Sequence, residues 1–186
     1  MEQFSNLIEF RQAVYDQGLT PAKDAQFELI DALLLSPYVR SFPELTLSPT
    51  FRRQWHSGYA AIEGGGQNRE WLEGYFVKQI PRSGPQVFSL DDTAWPHPAA
   101  KVLAERQYVR GSTHAVNGSI LIGHPYSVLA WVPESHESWA PPLSVRRISS
   151  QQTPVQMGVA QVKQLCRLRR EEMTQGLYLI VGDGKY

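Results

Sequence analysis

Residues 176–186 read GLYLIVGDGKY, and residues 86–98 read QVFSLDDTAWPHP. Each is a short apolar run that closes on aspartate beside small or turn-forming residues. The later run, LYLIV at 177–181, is nearly continuous in apolar residues, as expected of a strand buried on both faces. The earlier run, 86–92, has the length and bounding residues of a short strand. A long amphipathic segment, TPVQMGVAQVKQLCRLRREEM at 153–173, precedes the later strand. If this helix makes a right-handed crossover, the two acid-tipped strands lie side by side in one sheet.

The rest of the chain fits around that pair. Residues 4–19, 21–36, 51–63 and 69–80 repeat apolar positions at helical spacing. Gly18 serves as a stop, Pro21 as a first-turn residue and Asn68 as a cap. The character changes at PRSGP, 81–85. Residues 117–134 are β-rich, and PLSVRRI at 142–148 reads as a short strand beside them. AAKVLAERQYV, 99–109, is a short helix or a long excursion. In the 153–173 helix, Val155, Val159, Val162 and Cys166 form an apolar stripe, joined by Leu165. Cys166 is therefore expected to be packed and inert. The expected architecture is α/β, with a helical region at 1–83 ahead of a mixed sheet at 84–186.

Bulk properties narrow the function classes. The 186 residues suffice for one sizeable domain or a core with an accessory region. No apolar run approaches the length of a membrane span, and the N-terminus lacks the pattern of a secretory signal. One cysteine excludes an internal disulfide and suits a reducing cytoplasm. Net charge is zero, but residues 1–100 hold 8 Lys/Arg against 12 Asp/Glu, whereas 101–186 hold 10 against 6. That bias permits phosphate contact without requiring it.

Aspartate is disfavoured in strands, and near a core it needs a partner or a cation. Adjacent strands lie about 4.8 Å apart, so carboxylates at their ends can converge. Two such groups repel unless a cation sits between them. Mg²⁺ suits a few carboxylate oxygens with water and phosphate oxygens, and paired ions serve phosphodiester chemistry. The structural alternative is that each aspartate is a turn or cap residue. Alternation separates Asp91 from Asp92, so one of them can meet Asp183, and periodicity does not choose between them.

The series VFSLDDTAWPHP, AERQYVRGSTHAVNGSILIGHPYSVLAWVPE, SWAPPLSVRRI and LYLIVGDGKY resembles DDE transposases of bacterial insertion sequences. The resemblance covers most of residues 45–186. It implies an RNase H-like catalytic domain that uses a DDE triad with Mg²⁺ or Mn²⁺ to cut DNA at transposon ends and join it to target DNA. The Asp-x-Thr pattern places the first acid on Asp91, with Asp92 as the alternative, and the second on Asp183. Residues 1–83 become the candidate region for recognising DNA ends, and the protein a bacterial, cytoplasmic one that joins the nucleoid when bound to DNA. The family continues past the second aspartate to a glutamate. Glu171 and Glu172 precede the last strand and do not match it. The expectation is therefore a fragment with an incomplete sheet, cleavage-deficient and prone to self-association at its open edge. A non-catalytic DNA-binding remnant that regulates an intact transposase is the alternative expectation.

Arg146, Arg147, Arg167, Arg169 and Arg170 are candidate DNA contacts, or else solvated faces. The histidines show no paired ligand spacing. His124 is expected to play a hydrogen-bonding structural role, and the five tryptophans to pack rather than stack on bases. EGGGQN lacks the Lys-Ser/Thr of a phosphate-cradling loop.

Overall fold

The computed structural model describes residues 2–110, 119–133, 139–170 and 176–182. The chain divides into two compact units, Met1–Leu72 and Glu73–Tyr186. The first holds helices α1 (Glu2–Ala13), α2 (Lys23–Leu35), α3 (Phe42–Leu45) and α4 (Trp55–Gly64), with a π-helical turn at Val14–Gly18. Its small core gathers Ala25, Leu29, Ala32, Phe51 and Ala61. Ala25 and Ala32 of α2 and Ala61 of α4 add little bulk to it, and Leu29 and Phe51 supply most of its apolar volume. A cleft of about 530 Å³ in this unit is lined by Asp24, Glu28, Asp31, Arg52 and Arg53, among others. Arg53 pairs with Asp24 and Glu28, and Arg11 with Asp31, so the acids there are largely neutralised.

Helix α5 (Arg69–Lys78) runs from one unit into the other, and Asn68 Oδ1 accepts the Trp71 N–H at its start. The two compact units divide at 72/73, ahead of the change in sequence character at 81–85. The reason lies in Val77 and Ile80, which are 3% and 2% exposed in the core beneath the sheet.

The described residues of the second unit form a five-stranded mixed sheet, with helix α6 (Pro154–Arg169) and the end of α5: β1 (Gln86–Pro96), β2 (Gln107–Arg110), β3 (Ile120–Val132), β4 (Pro142–Arg147) and β5 (Tyr178–Gly182). β1 pairs antiparallel with β3 along ten positions and parallel with β5 along five. β2 and β4 share the outer edge of β3, at residues 120–123 and 126–130 respectively. Helix α6 carries the chain from β4 back to β5. A capping box between Thr153 and Gln156 fixes its start. This is the mixed α/β arrangement expected of an RNase H-like fold, preceded by a helical region.

Strand alternation sorts the sheet into two faces. Phe88 and Leu90 turn toward α6 and pack with Leu129, Leu143, Leu165, Val77 and Ile80. Their neighbours Val87 and Ser89 turn the other way.

Two expectations about burial are corrected. The buried residues of α6 are Gly158, Gln161, Leu165 and Arg169, whereas Val155, Val159 and Cys166 are exposed. The stripe is therefore rotated, because Gln161 and Arg169 occupy the core side with their polar atoms bonded. The β5 strand is not buried on both faces. Among the described residues it lies at the edge of the sheet, and Leu179, Ile180 and Val181 are 44%, 41% and 57% exposed.

β1 and β3 approach unusually closely at Gly123, which lies opposite Pro96. A Cβ there would overlap the Trp95 carbonyl oxygen and stand 2.9 Å from Pro96 Cα. Both are backbone atoms held in the ladder, so they cannot swing aside. Gly123→Ala is expected to destabilise the fold by about 2–3 kcal/mol, read as a lower midpoint in urea unfolding. An unchanged midpoint would contradict this packing.

Candidate active site

Asp91 and Asp92 stand where β1 outlasts its partner β5. The parallel register runs from Gln86 opposite Tyr178 to Leu90 opposite Gly182. Asp91 is the next residue on one strand, and Asp183 follows Gly182 in sequence. Asp183 lies outside the described residues, as do Glu171 and Glu172.

The two β1 aspartates take different faces. Asp92 lies opposite Ser127, which is fully buried and donates from its hydroxyl to Gln161 Oε1 of α6 at 2.6 Å. Asp92 is thus on the α6 side. Asp91 lies opposite Val128, on the side turned away from α6, and is exposed. One of its carboxylate oxygens accepts the Asp92 N–H at 2.8 Å. Among the described residues no lysine or arginine pairs with Asp91. An uncompensated, exposed carboxylate with one oxygen already oriented is a donor that suits a hard divalent cation. Among the described residues, no group of three or more His, Cys, Asp or Glu could hold a metal ion.

A buried polar network backs the α6 side. Gln161 Nε2 donates to the carbonyls of Ser127 and Ser144 at 3.2 and 3.1 Å. Ser144 donates to Glu73 at 2.8 Å, and Arg146 pairs bidentately with the same carboxylate at 2.7 and 2.8 Å. These bonds tie α5, β3, β4 and α6 together beneath the strand that carries the aspartates. The sequence signal for it was Gln161, a polar residue between Gly158 and Leu165 on the core side of the helix.

The candidate arginines separate accordingly. Arg146 is committed to Glu73. Arg169 is fully buried and donates to the carbonyls of Val77, Ile80 and Pro81 at 3.3, 3.0 and 2.9 Å, and to the Tyr178 hydroxyl at 3.1 Å. A guanidinium so enclosed cannot reach a phosphate, which corrects its candidacy as a DNA contact. Arg147, Arg167 and Arg170 are exposed.

Beyond Asp91 the strand continues through Thr93 to Trp95, which lies opposite His124. The His124 ring nitrogen Nε2 donates to the Ala104 carbonyl at 2.8 Å, the structural role expected of it. Ala104 precedes Glu105, whose carboxyl is held below its ordinary range, chiefly by the Ser150 hydroxyl and then by the Ser150 N–H. Against expectation, three tryptophans lie largely outside the core: Trp55, Trp95 and Trp139 are 62%, 61% and 77% exposed.

No curated protein and no solved structure matches the chain. The family model described as DDE superfamily endonuclease matches residues 15–186. That span takes in every strand described above and both acid-tipped segments. The chain belongs to the DDE superfamily of endonucleases.

Proposed function

We propose that this protein cuts and joins DNA strands at the ends of a bacterial insertion sequence, with Asp91 and Asp183 as ligands of a shared Mg²⁺ or Mn²⁺ ion. Endonucleases of the DDE superfamily act on DNA and generally depend on divalent metals. The observation that carries the reading is the β1–β5 register, in which Leu90 faces Gly182 immediately ahead of the two aspartates. Asp91 follows Leu90 and Asp183 follows Gly182 in the sequence, so the first acid after the paired stretch of β1 is Asp91. This favours Asp91 over the alternative Asp92.

When bound, divalent cations neutralise a scissile phosphate and lower the pKa of an attacking oxygen. Asp91 contributes a carboxylate whose orientation is set by the Asp92 amide. The pairing of β1 with both β3 and β5 keeps that carboxylate in place without relying on a loop. Arg147, Arg167 and Arg170 contact phosphates, and residues 1–83 recognise the DNA ends. The protein works in the cytoplasm, at the nucleoid. Among the described residues no helix is long and apolar enough to cross a membrane.

The test is cleavage of insertion-sequence end DNA with Mg²⁺, set against the same reaction for Asp183→Ala. Loss of cleavage is the expected result, and undiminished cleavage would overturn the assignment. A mobility shift with no metal-dependent cleavage in the unmodified chain would instead support the binding-only reading. DNA affinity should also fall with salt. Replacing Arg147, Arg167 and Arg170 together by alanine should flatten the slope of log K against log salt by about 2–3. An unchanged slope would remove them from the interface.

A further inference from the structure

Trp95 stands four residues after Asp91 in β1, and alternation puts both on the face turned away from α6. Its indole is 61% exposed but not loose. His97 stacks on it with ring centroids 5.8 Å apart and planes at 16°. Tyr126, opposite Thr93, meets it at 6.2 Å and 51°. His97 is itself fixed. Its backbone N–H donates to the Ile122 carbonyl at 2.7 Å, and its ring meets His124 edge-on at 6.0 Å. His124 is held by Ala104, and the backbone at Trp95 is locked by the close approach of Gly123. The result is a supported aromatic ring, held by His97 and Tyr126 and still largely exposed. Arg147, opposite Tyr126 at the same edge, adds an exposed positive charge.

The partner must match a flat, open π surface beside a cation. A single aromatic plane cannot enclose a compact small molecule, but it can receive a planar ring tethered to phosphate. We propose that Trp95, supported by His97 and Tyr126, stacks an unpaired nucleobase of the DNA whose phosphodiester lies at Asp91. This inference rests on the proposed DNA-cutting role of the β1 acid. The separation is consistent with it: four strand residues span about 14 Å, equal to about four base steps of 3.4 Å along one DNA strand. Stacking of this kind tolerates any base, because every base has a π face. The site therefore selects unpaired ends over duplex, not one sequence over another.

The test uses the whole chain in EDTA, so that cleavage cannot intervene. Two probes are compared: a blunt duplex, and the same duplex with a short unpaired 3′ tail carrying 2-aminopurine. The tailed duplex is expected to bind about 5- to 100-fold more tightly, with quenching of the 2-aminopurine fluorescence. Trp95→Ala should abolish both the preference and the quenching. Trp95→Phe should keep most of both, which a merely structural role would not predict. Asp91→Ala should leave the preference intact in EDTA, while a separate reaction with Mg²⁺ should show its cleavage lost. Equal binding of the two probes, or a preference that survives Trp95→Ala, would overturn the platform and leave the acid site standing. Failure of the unmodified chain to bind either probe would overturn both.

Discussion

Asp91→Ala is expected to weaken Mn²⁺ binding about tenfold or more and to lower Mg²⁺-dependent DNA cleavage by a factor on the order of 10³. Asp92→Ala, one residue along, is expected to leave Mn²⁺ affinity unchanged. The contrast comes from the pleat. Asp91 is exposed on the side away from α6, whereas Asp92 sits across from the buried Ser127 on the α6 side. A register slip of one residue would exchange them, and ten consecutive β1–β3 pairs together with the β1–β5 ladder oppose such a slip. Calorimetric Mn²⁺ titration of the two variants decides the matter. Equal losses, or loss in Asp92→Ala alone, would assign the ligand to the wrong face.

The largest expected effect on stability is at Arg169. Its buried guanidinium gathers the carbonyls of Val77, Ile80 and Pro81, where α5 ends, and the hydroxyl of Tyr178 in β5. Tyr178 in turn stacks on Phe88 of β1, with ring centroids 5.8 Å apart and planes at 15°. One side chain therefore joins the ends of α5 and α6 to the strand that leads to Asp183. Arg169→Met removes the donors and leaves buried carbonyls without partners, at a cost of about 3–5 kcal/mol. A domain of ordinary stability, about 5–15 kcal/mol, would lose a large share of it. Arg169→Lys should not rescue the loss, since a single ammonium cannot serve donors spread over a planar fork. Urea unfolding reads the effect, and a change below about 1 kcal/mol would show that the clamp contributes little.

Much of this was legible in the residues. The paired placement of 86–92 and 177–182 follows from apolar runs too short for helices, separated by one helix long enough to cross a sheet. Asn68 as a cap and Gly18 as a stop are local features that need no tertiary context. The face of α6 was not legible, because its valines and cysteine obey helical spacing as well as its true core residues do. What turns the helix is Gln161 and Arg169, whose burial depends on partners in β3, β4 and α5 that no local pattern displays. The exposure of LYLIV escaped for a related reason. A continuous apolar strand signals burial only if neighbours lie on both sides, and among the described residues β5 pairs with β1 alone. Trp95 was read as packing, although its position in the Asp91–Thr93–Trp95 alternation already set it on the open face. The short helix α3 at Phe42–Leu45 was hidden in a proline- and serine-bearing link.

Metal-directed cutting of the chain tests whether Asp91 and Asp183 share one ion, as proposed. Fe²⁺ bound in place of Mg²⁺, with peroxide and ascorbate, generates hydroxyl radicals that sever the polypeptide near the metal. The expected result is two cuts, one beside each aspartate, both suppressed by excess Mg²⁺ and both lost in either alanine variant. Cuts at one aspartate without the other, or cuts that persist after Asp91→Ala, would contradict it.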